Sequence, residues 1–293
     1  MTNHLIIGAS GQVGEYLVRA AANAGFESVG TYQTHEVEGM RHLDIRNEAQ
    51  ISSLLEELQP TVVYLPASLA NVDYCELHPE EGYAINVEGV RNVVQAVNKT
   101  PAKLVYFSSD YVFDGKAGPY AEEDPTNPIC EYGVQKVLAE HYVALHARDY
   151  IVVRTTVVYG WERQGKNFIY RLLNTLTAGE VLRVPVDQVG SPTYSPDLSR
   201  AVVDLAISDA QGVYHVVGPE LANRYEFACE AAKVFGLDTN LVQPVTTEEL
   251  RQTAKRPLKA GMKIEKVTAR LMRPLIGYRE GLRVMASERR AGK

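Results

Sequence analysis

The chain has 293 residues, 45% of them hydrophobic and 23% charged, and carries a net charge of -6. That mixture is the profile of a globular protein long enough to bury a large core, and it excludes a fibre or a disordered chain. Apart from a small basic tail (Arg289, Arg290, Lys293) there is no cationic footprint for nucleic acid or an anionic membrane surface, and no apolar run approaches the ~20 residues of a membrane span.

Met1, Thr2, Asn3 and His4 lead directly into the apolar run LIIG, without the basic start and long apolar segment of a secretory signal. Cys75, Cys130 and Cys229 are widely spaced, with neither a CxxC pair nor neighbouring histidines, and read as reduced thiols of a cytoplasmic protein. His4, His78, His141, His146 and His215 fall in no ligand spacing, so no metal site is expected.

Short apolar runs at 5–7, 29–32, 62–65, 104–107 and 151–153 predict strands, and segments of helical period at 13–24, 48–58, 80–97 and 128–146 predict helices between them. Strand and helix alternating at this spacing imply right-handed crossovers and a doubly wound parallel sheet, a Rossmann-type α/β fold. After about residue 160, Gly and Pro break the rhythm into shorter pieces, with helices predicted at 224–235 and at 247–253, the latter capped by Thr246 and Glu249. The expectation is a dinucleotide-binding domain over 1–160, with a segment near 186–216 returning to it, and a smaller α/β substrate lobe over 161–293.

Between the first strand and the first helix lies GASGQVG, with Gly8, Gly11 and Gly14 spaced for a tight turn, a close backbone approach to a pyrophosphate and close helix packing. Gly8, Ser10, Gly11, Gln12 and Val13 are therefore the cofactor-binding candidates of this turn. The second strand ends VGTYQTH, with no acid where a ribose 2′-hydroxyl would be held, which favours NADP(H) and leaves NAD(H) open. His35, Arg41 and His42 are the nearby sources of positive charge, and each reads equally well as a solvated loop residue. Asp44 and Ile45, at the mouth of the next crossover, are candidates to meet the adenine ring.

The strand at 104–107 runs out into Ser108, Ser109 and Asp110, at the strand end where open α/β sheets bind ligands. On the following helix Tyr132 and Lys136 stand one turn apart on one face. The spacing alone is weak evidence; the strand end and glycine turn give it weight. A phenol titrates near ~10, and a neighbouring ammonium favours its ionised form, so Lys136 is expected to lower the pKa of Tyr132. Ser109 would orient a substrate carbonyl while Tyr132 gives it a proton, which is the chemistry of carbonyl reduction. Asp110 would either contact substrate or hold a local turn.

GASGQVG, SSDYVFDG, YGVQK, RTTVVYG, KNF, DQVGSPTYSPDLSRAV and GVYHVVG together resemble the extended short-chain dehydrogenase/reductases, and within them the dTDP-4-dehydrorhamnose reductases. The resemblance implies a catalytic set of Ser109, Tyr132 and Lys136, with Ser109 where the sugar reductases usually have Thr. It implies NAD(P)H-dependent reduction of the 4-keto group of a nucleotide-activated deoxysugar, bound near Val72, Asp73, Ser191 and Thr193 under the second lobe. A homodimer is left open. Two other readings stand beside it: a nucleotide-sugar epimerase, which shares Ser/Tyr/Lys, and a non-catalytic NADP-binding subunit like the regulatory subunit of methionine adenosyltransferase. Dehydration is disfavoured, because Tyr111 stands where the dehydratases place a carboxylate. Trp161, the only tryptophan, reads as hinge packing ahead of substrate stacking.

Overall fold

The computed structural model describes residues 3–291; of the residues named above, Met1, Thr2 and Lys293 lie outside them. The first half alternates through β1 (Asn3–Ile6), α1 (Gln12–Asn23), β2 (Glu27–Tyr32), β3 (Arg41–His42), α2 (Glu48–Leu58), β4 (Val62–Leu65), α3 (Val72–Leu77), α4 (Pro79–Tyr83), α5 (Gly89–Val97), β5 (Lys103–Ser109), α6 (Glu131–His146) and β6 (Tyr150–Thr155). The remainder runs through β7 (Val158–Tyr159), α7 (Phe168–Thr177), β8 (Leu182–Pro185), β9 (Val189–Gly190), β10 (Thr193–Tyr194), α8 (Ser195–Ala206), β11 (Gly212–His215), β12 (Ala222–Asn223), α9 (Arg224–Val234), β13 (Val242–Val245), α10 (Thr247–Leu250), α11 (Glu265–Thr268) and α12 (Tyr278–Ala291).

Seven strands pair in parallel in the order β11-β6-β5-β4-β1-β2-β3. Every residue of β4 and β5 is buried, as a sheet covered on both faces demands. Alternation along the strands divides the core. Leu5, Val63 and Leu104 meet Ile51, Val93 and Val143 of α2, α5 and α6 on one face. Ile6, Tyr64 and Val105 meet Leu17 of α1 and Leu198 and Val202 of α8 on the other. From β1 the chain winds outward through β2 and β3, then returns to β4 and winds the other way; the crevice between β1 and β4 is the switch point where such sheets take ligands.

A separate core gathers α7, α9 and α12 around Tyr159, Phe227 and Tyr278. The helices here are longer than the Gly/Pro pattern suggests. Pro196, read as a break, sits in the first turn of α8, where no backbone N–H is needed. The helix expected over 247–253 stops at Leu250, with the Thr246/Glu249 capping box present and Arg251 in the left-handed region (φ 50°). The helix expected over 80–97 is interrupted by a π turn at Ala84–Glu88, and α3 precedes it unannounced. Among the described residues no helix is long and apolar enough to cross a membrane. The three cysteines are free thiols.

Candidate active site

The glycine turn closes as its spacing implies. Gly8 adopts φ 95°, a conformation glycine takes without strain, and a Cβ on Gly14 would lie 2.3 Å from the Gly8 carbonyl oxygen. The Gly8 N–H donates to Thr31 Oγ1 of β2 (3.1 Å), which fixes the turn against the sheet. No side chain caps α1 at Gly11, so the N–H groups of its first turn and the positive end of its dipole are left for an anion. Gln12 Nε2 is buried beside them without a hydrogen-bond partner among the described residues. An uncapped helix start, a backbone that admits no Cβ and an orphaned amide donor fit the pyrophosphate of a dinucleotide.

α6 starts at Glu131 because Glu76 of α3 accepts its backbone N–H (2.9 Å), and this sets Tyr132 and Lys136 facing the end of β5. Both are buried, at 7% and 3% exposure. Lys136 Nζ donates to the Phe107 carbonyl (3.0 Å) and lies 5.1 Å from the centre of the Tyr106 ring and 5.6 Å from that of Tyr132. The Tyr132 phenol hydrogen-bonds the Ser68 side chain. Ser68 in turn donates to Asn86 Oδ1 (2.9 Å), and Asn86 Nδ2 donates to Gln135 of α6 (2.9 Å). The π turn is what carries Asn86 inward, so the irregular helix and the phenol belong to one network.

Burial dominates the electrostatics. It raises the Tyr132 pKa above its ordinary value of 10.0 and lowers that of Lys136 to about 8. The expectation that Lys136 depresses Tyr132 is therefore corrected: in a desolvated pocket both charged forms are penalised, and burial is the largest cause acting on each. Tyr132 is a protonated acid at neutral pH. The Ser109 hydroxyl donates to Asp110 Oδ1 (2.9 Å) and accepts from the Tyr111 N–H (3.3 Å), so its recorded bonds lie within the strand end rather than with Tyr132. Asp110 is buried, which raises its carboxyl pKa against the opposing hydrogen bonds of Thr156 and Ser109.

Beside this group opens a cleft of about 540 Å³. Its lining includes Lys166, Arg171, Arg183, Arg224 and Arg256, with Tyr111 and Phe168 among them. Tyr111 packs edge-on against Tyr132 (5.6 Å between ring centres), so the cleft adjoins the phenol. Asp73 accepts from the Ala254 N–H (2.9 Å) and from Arg256 Nη2 (2.7 Å), and so holds one wall of the cleft in place. Val72 packs in the cluster of Cys75, Cys130 and Tyr132.

Other predicted residues lie apart from the cleft lining. The buried Thr193 hydroxyl donates to the Ser191 carbonyl (2.8 Å) and accepts from the Gly218 N–H (3.2 Å), which closes the turn from inside. Ser191 Oγ is buried and unpartnered among the described residues. Ile45 packs in the core against Gly89, and Asp44 is ion-paired with Arg46 (2.6 Å), which lowers its carboxyl pKa. Trp161 does pack: its Nε1 donates to the Met285 carbonyl (2.9 Å), with Tyr170 and Phe235 edge-on. Of the cleft cations, Arg171, Arg183 and Arg224 were missed, because they come from separate stretches of chain with no local motif; only the fold gathers them.

A family model described as the RmlD substrate binding domain matches residues 2–290. The chain is 34% identical over 290 residues to the spore coat polysaccharide biosynthesis protein SpsK of Bacillus subtilis (strain 168), covering 99% of this chain and 98% of that protein. It is 31% identical over 280 residues to a dTDP-4-dehydrorhamnose reductase of Aggregatibacter actinomycetemcomitans, with 91% and 92% covered. Among solved structures, dTDP-4-dehydrorhamnose reductase from Bacillus anthracis str. Ames in complex with NADP superposes with a TM-score of 0.91 at 30% identity, covering 98% of this chain and 100% of that one.

Proposed function

The chain belongs to the family of the RmlD substrate-binding domain, and from that premise we infer that it is an NADP(H)-dependent oxidoreductase reducing the 4-keto group of a nucleotide-activated deoxysugar. The observation that carries the reading is a buried, protonated Tyr132 beside a cleft lined by Arg171, Arg183, Arg224 and Arg256, a surface suited to the diphosphate of a nucleotide sugar. NADP(H), when bound, supplies the hydride. The glycine turn and the start of α1 hold its pyrophosphate. Ser109 turns its hydroxyl from Asp110 to the keto oxygen and fixes it; Tyr132 delivers its phenolic proton to that oxygen as the adjacent carbon is reduced. Lys136, anchored on the Phe107 carbonyl, stabilises the phenolate that this leaves.

The same proposal divides the labour between two lobes: residues 1–160, joined by α8 and β11, hold the dinucleotide, and the remainder closes over the sugar. It rests on α8 packing against α1, β11 pairing with β6, and a second core distinct from the two that flank the sheet. The three unpaired cysteines support a cytoplasmic location.

The test is to give the purified protein NADPH and a dTDP-4-keto-6-deoxy sugar and to follow NADPH absorbance alongside the sugar product. One NADPH consumed per 4-hydroxy sugar formed is the expected result. Sugar isomerised without net NADPH loss would assign an epimerase, and tight NADPH binding without turnover on any keto-sugar would assign a regulatory subunit.

A further inference from the structure

The segment 162–166 leaves the second core and crosses back over the glycine turn. Gln164 Nε2 donates to the Ser10 carbonyl (3.0 Å), Arg163 Nε lies 3.5 Å from Glu15 of α1, and Lys166 Nζ lies 3.4 Å from His35 Nε2. The strap is braced at its root. Glu162 Oε1 accepts the N–H groups of Lys166 (2.9 Å) and Asn167 (2.7 Å), the Tyr170 hydroxyl donates to the Glu162 carbonyl (2.8 Å), and Gly165 turns the chain at φ 61°.

His35 lies three residues beyond Tyr32, the last residue of β2, the strand end where dinucleotide folds read the 2′ position of the adenosine ribose. Two basic side chains, one from each lobe, thus converge at that end. Among the described residues neither forms an ion pair within 4.0 Å, and the nearby Glu36 is engaged by the Tyr32 phenol. Arg41 and His42, the other basic candidates, are turned elsewhere: Arg41 pairs with Glu57, and His42 lies edge-on to the Tyr32 ring. An ammonium and an imidazole gathered at one strand end without a counter-charge make a place for an anion.

We propose that Lys166 and His35 clamp the ribose 2′-phosphate of NADP(H), so that the strap latches the cofactor from the substrate lobe and sets the preference for NADP(H) over NAD(H). The proposal rests on the oxidoreductase reading above. Lys166 also borders the substrate cleft, which gives the test a second ligand to tell apart.

The experiment is equilibrium titration of the full chain, and of its Lys166→Met, Lys166→Arg and His35→Asn variants, with NADPH, NADH and dTDP separately. Both positions are exposed, so the variants retain the fold. Lys166→Met is expected to weaken NADPH by about tenfold or more and NADH and dTDP by less than about twofold, with Lys166→Arg close to wild type and His35→Asn intermediate. Equal weakening of NADPH and NADH, loss confined to dTDP, or unchanged NADPH affinity would each overturn the clamp while leaving the oxidoreductase reading intact. A wild-type chain that binds neither dinucleotide overturns that reading and the clamp with it.

Discussion

Tyr132 and Lys136 are both buried, yet the proposed mechanism asks opposite things of them: one must hold a proton until the carbonyl is in place, the other must keep its charge when that proton leaves. Burial serves the first and opposes the second. With Lys136 lowered to about 8 and Tyr132 raised, Tyr132 stays protonated through the working range and Lys136 is the group that titrates. Turnover is therefore expected to hold level below pH 8 and to fall as the pH rises past it, because deprotonated Lys136 no longer stabilises the phenolate. A saturating rate that stays flat across about pH 7 to 10 would remove Lys136 from this role. At this scale the sequence was most readable where residue type is chemistry: Lys136 reaches back to the Phe107 carbonyl of β5, the strand that Ser109 ends. What it could not supply was direction. The Thr193 hydroxyl bonds the Ser191 carbonyl and the Gly218 N–H, and nothing in the local pattern tells which partners a hydroxyl will meet.

Among the elements, β1, α1 and the turn between them form the most constrained unit, since Gly14 packs on the Gly8 carbonyl with no room for a Cβ. Gly14→Ala is expected to destabilise the chain by about 1 to 3 kcal/mol through overpacking, and to weaken NADPH binding as the turn is pushed open. Denaturant titration and NADPH titration of that variant check both; wild-type values in both would mean that the turn yields without consequence. Helices of strong period, α1 and α2, were legible nearly to the residue. α3 and the π turn were not, because their shape is set by tertiary partners: Glu76 caps α6 and Asn86 ties Ser68 to Gln135, pairings far apart in sequence. α7, α8 and α12 were not picked out, since Gly and Pro mark turns without saying how long the helices between them run.

On the scale of the molecule, the outer strand β11 is fastened by His215, which is fully buried. Its Nδ1 meets the Lys263 carbonyl (3.2 Å), and its Nε2 faces Arg154, itself paired with the buried Glu140 (2.7 Å). Burial and the Arg154 charge lower the His215 pKa from 6.5 to about 3. The folded chain keeps this imidazole neutral while the unfolded chain protonates it, so stability is expected to decline as the pH falls from about 6.5 toward 3. A His215→Asn variant, less stable at neutral pH, should lose less on acidification over that window; an identical pH slope in both proteins would contradict the assignment. The alternation of strand and helix made the parallel sheet readable, but the gathering of basic side chains from separate stretches of chain, on the cleft and at the strap, exists only once the chain is folded.

The central claim is that Tyr132 gives the proton in the reduction of a nucleotide-bound keto-sugar. The most direct measurement compares Tyr132→Phe with wild type for NADPH affinity and for single-turnover reduction of a dTDP-4-keto-6-deoxy sugar. Loss of about 100-fold or more in rate with NADPH affinity within about twofold is the predicted result, and a variant that reduces the sugar at the wild-type rate would contradict the account.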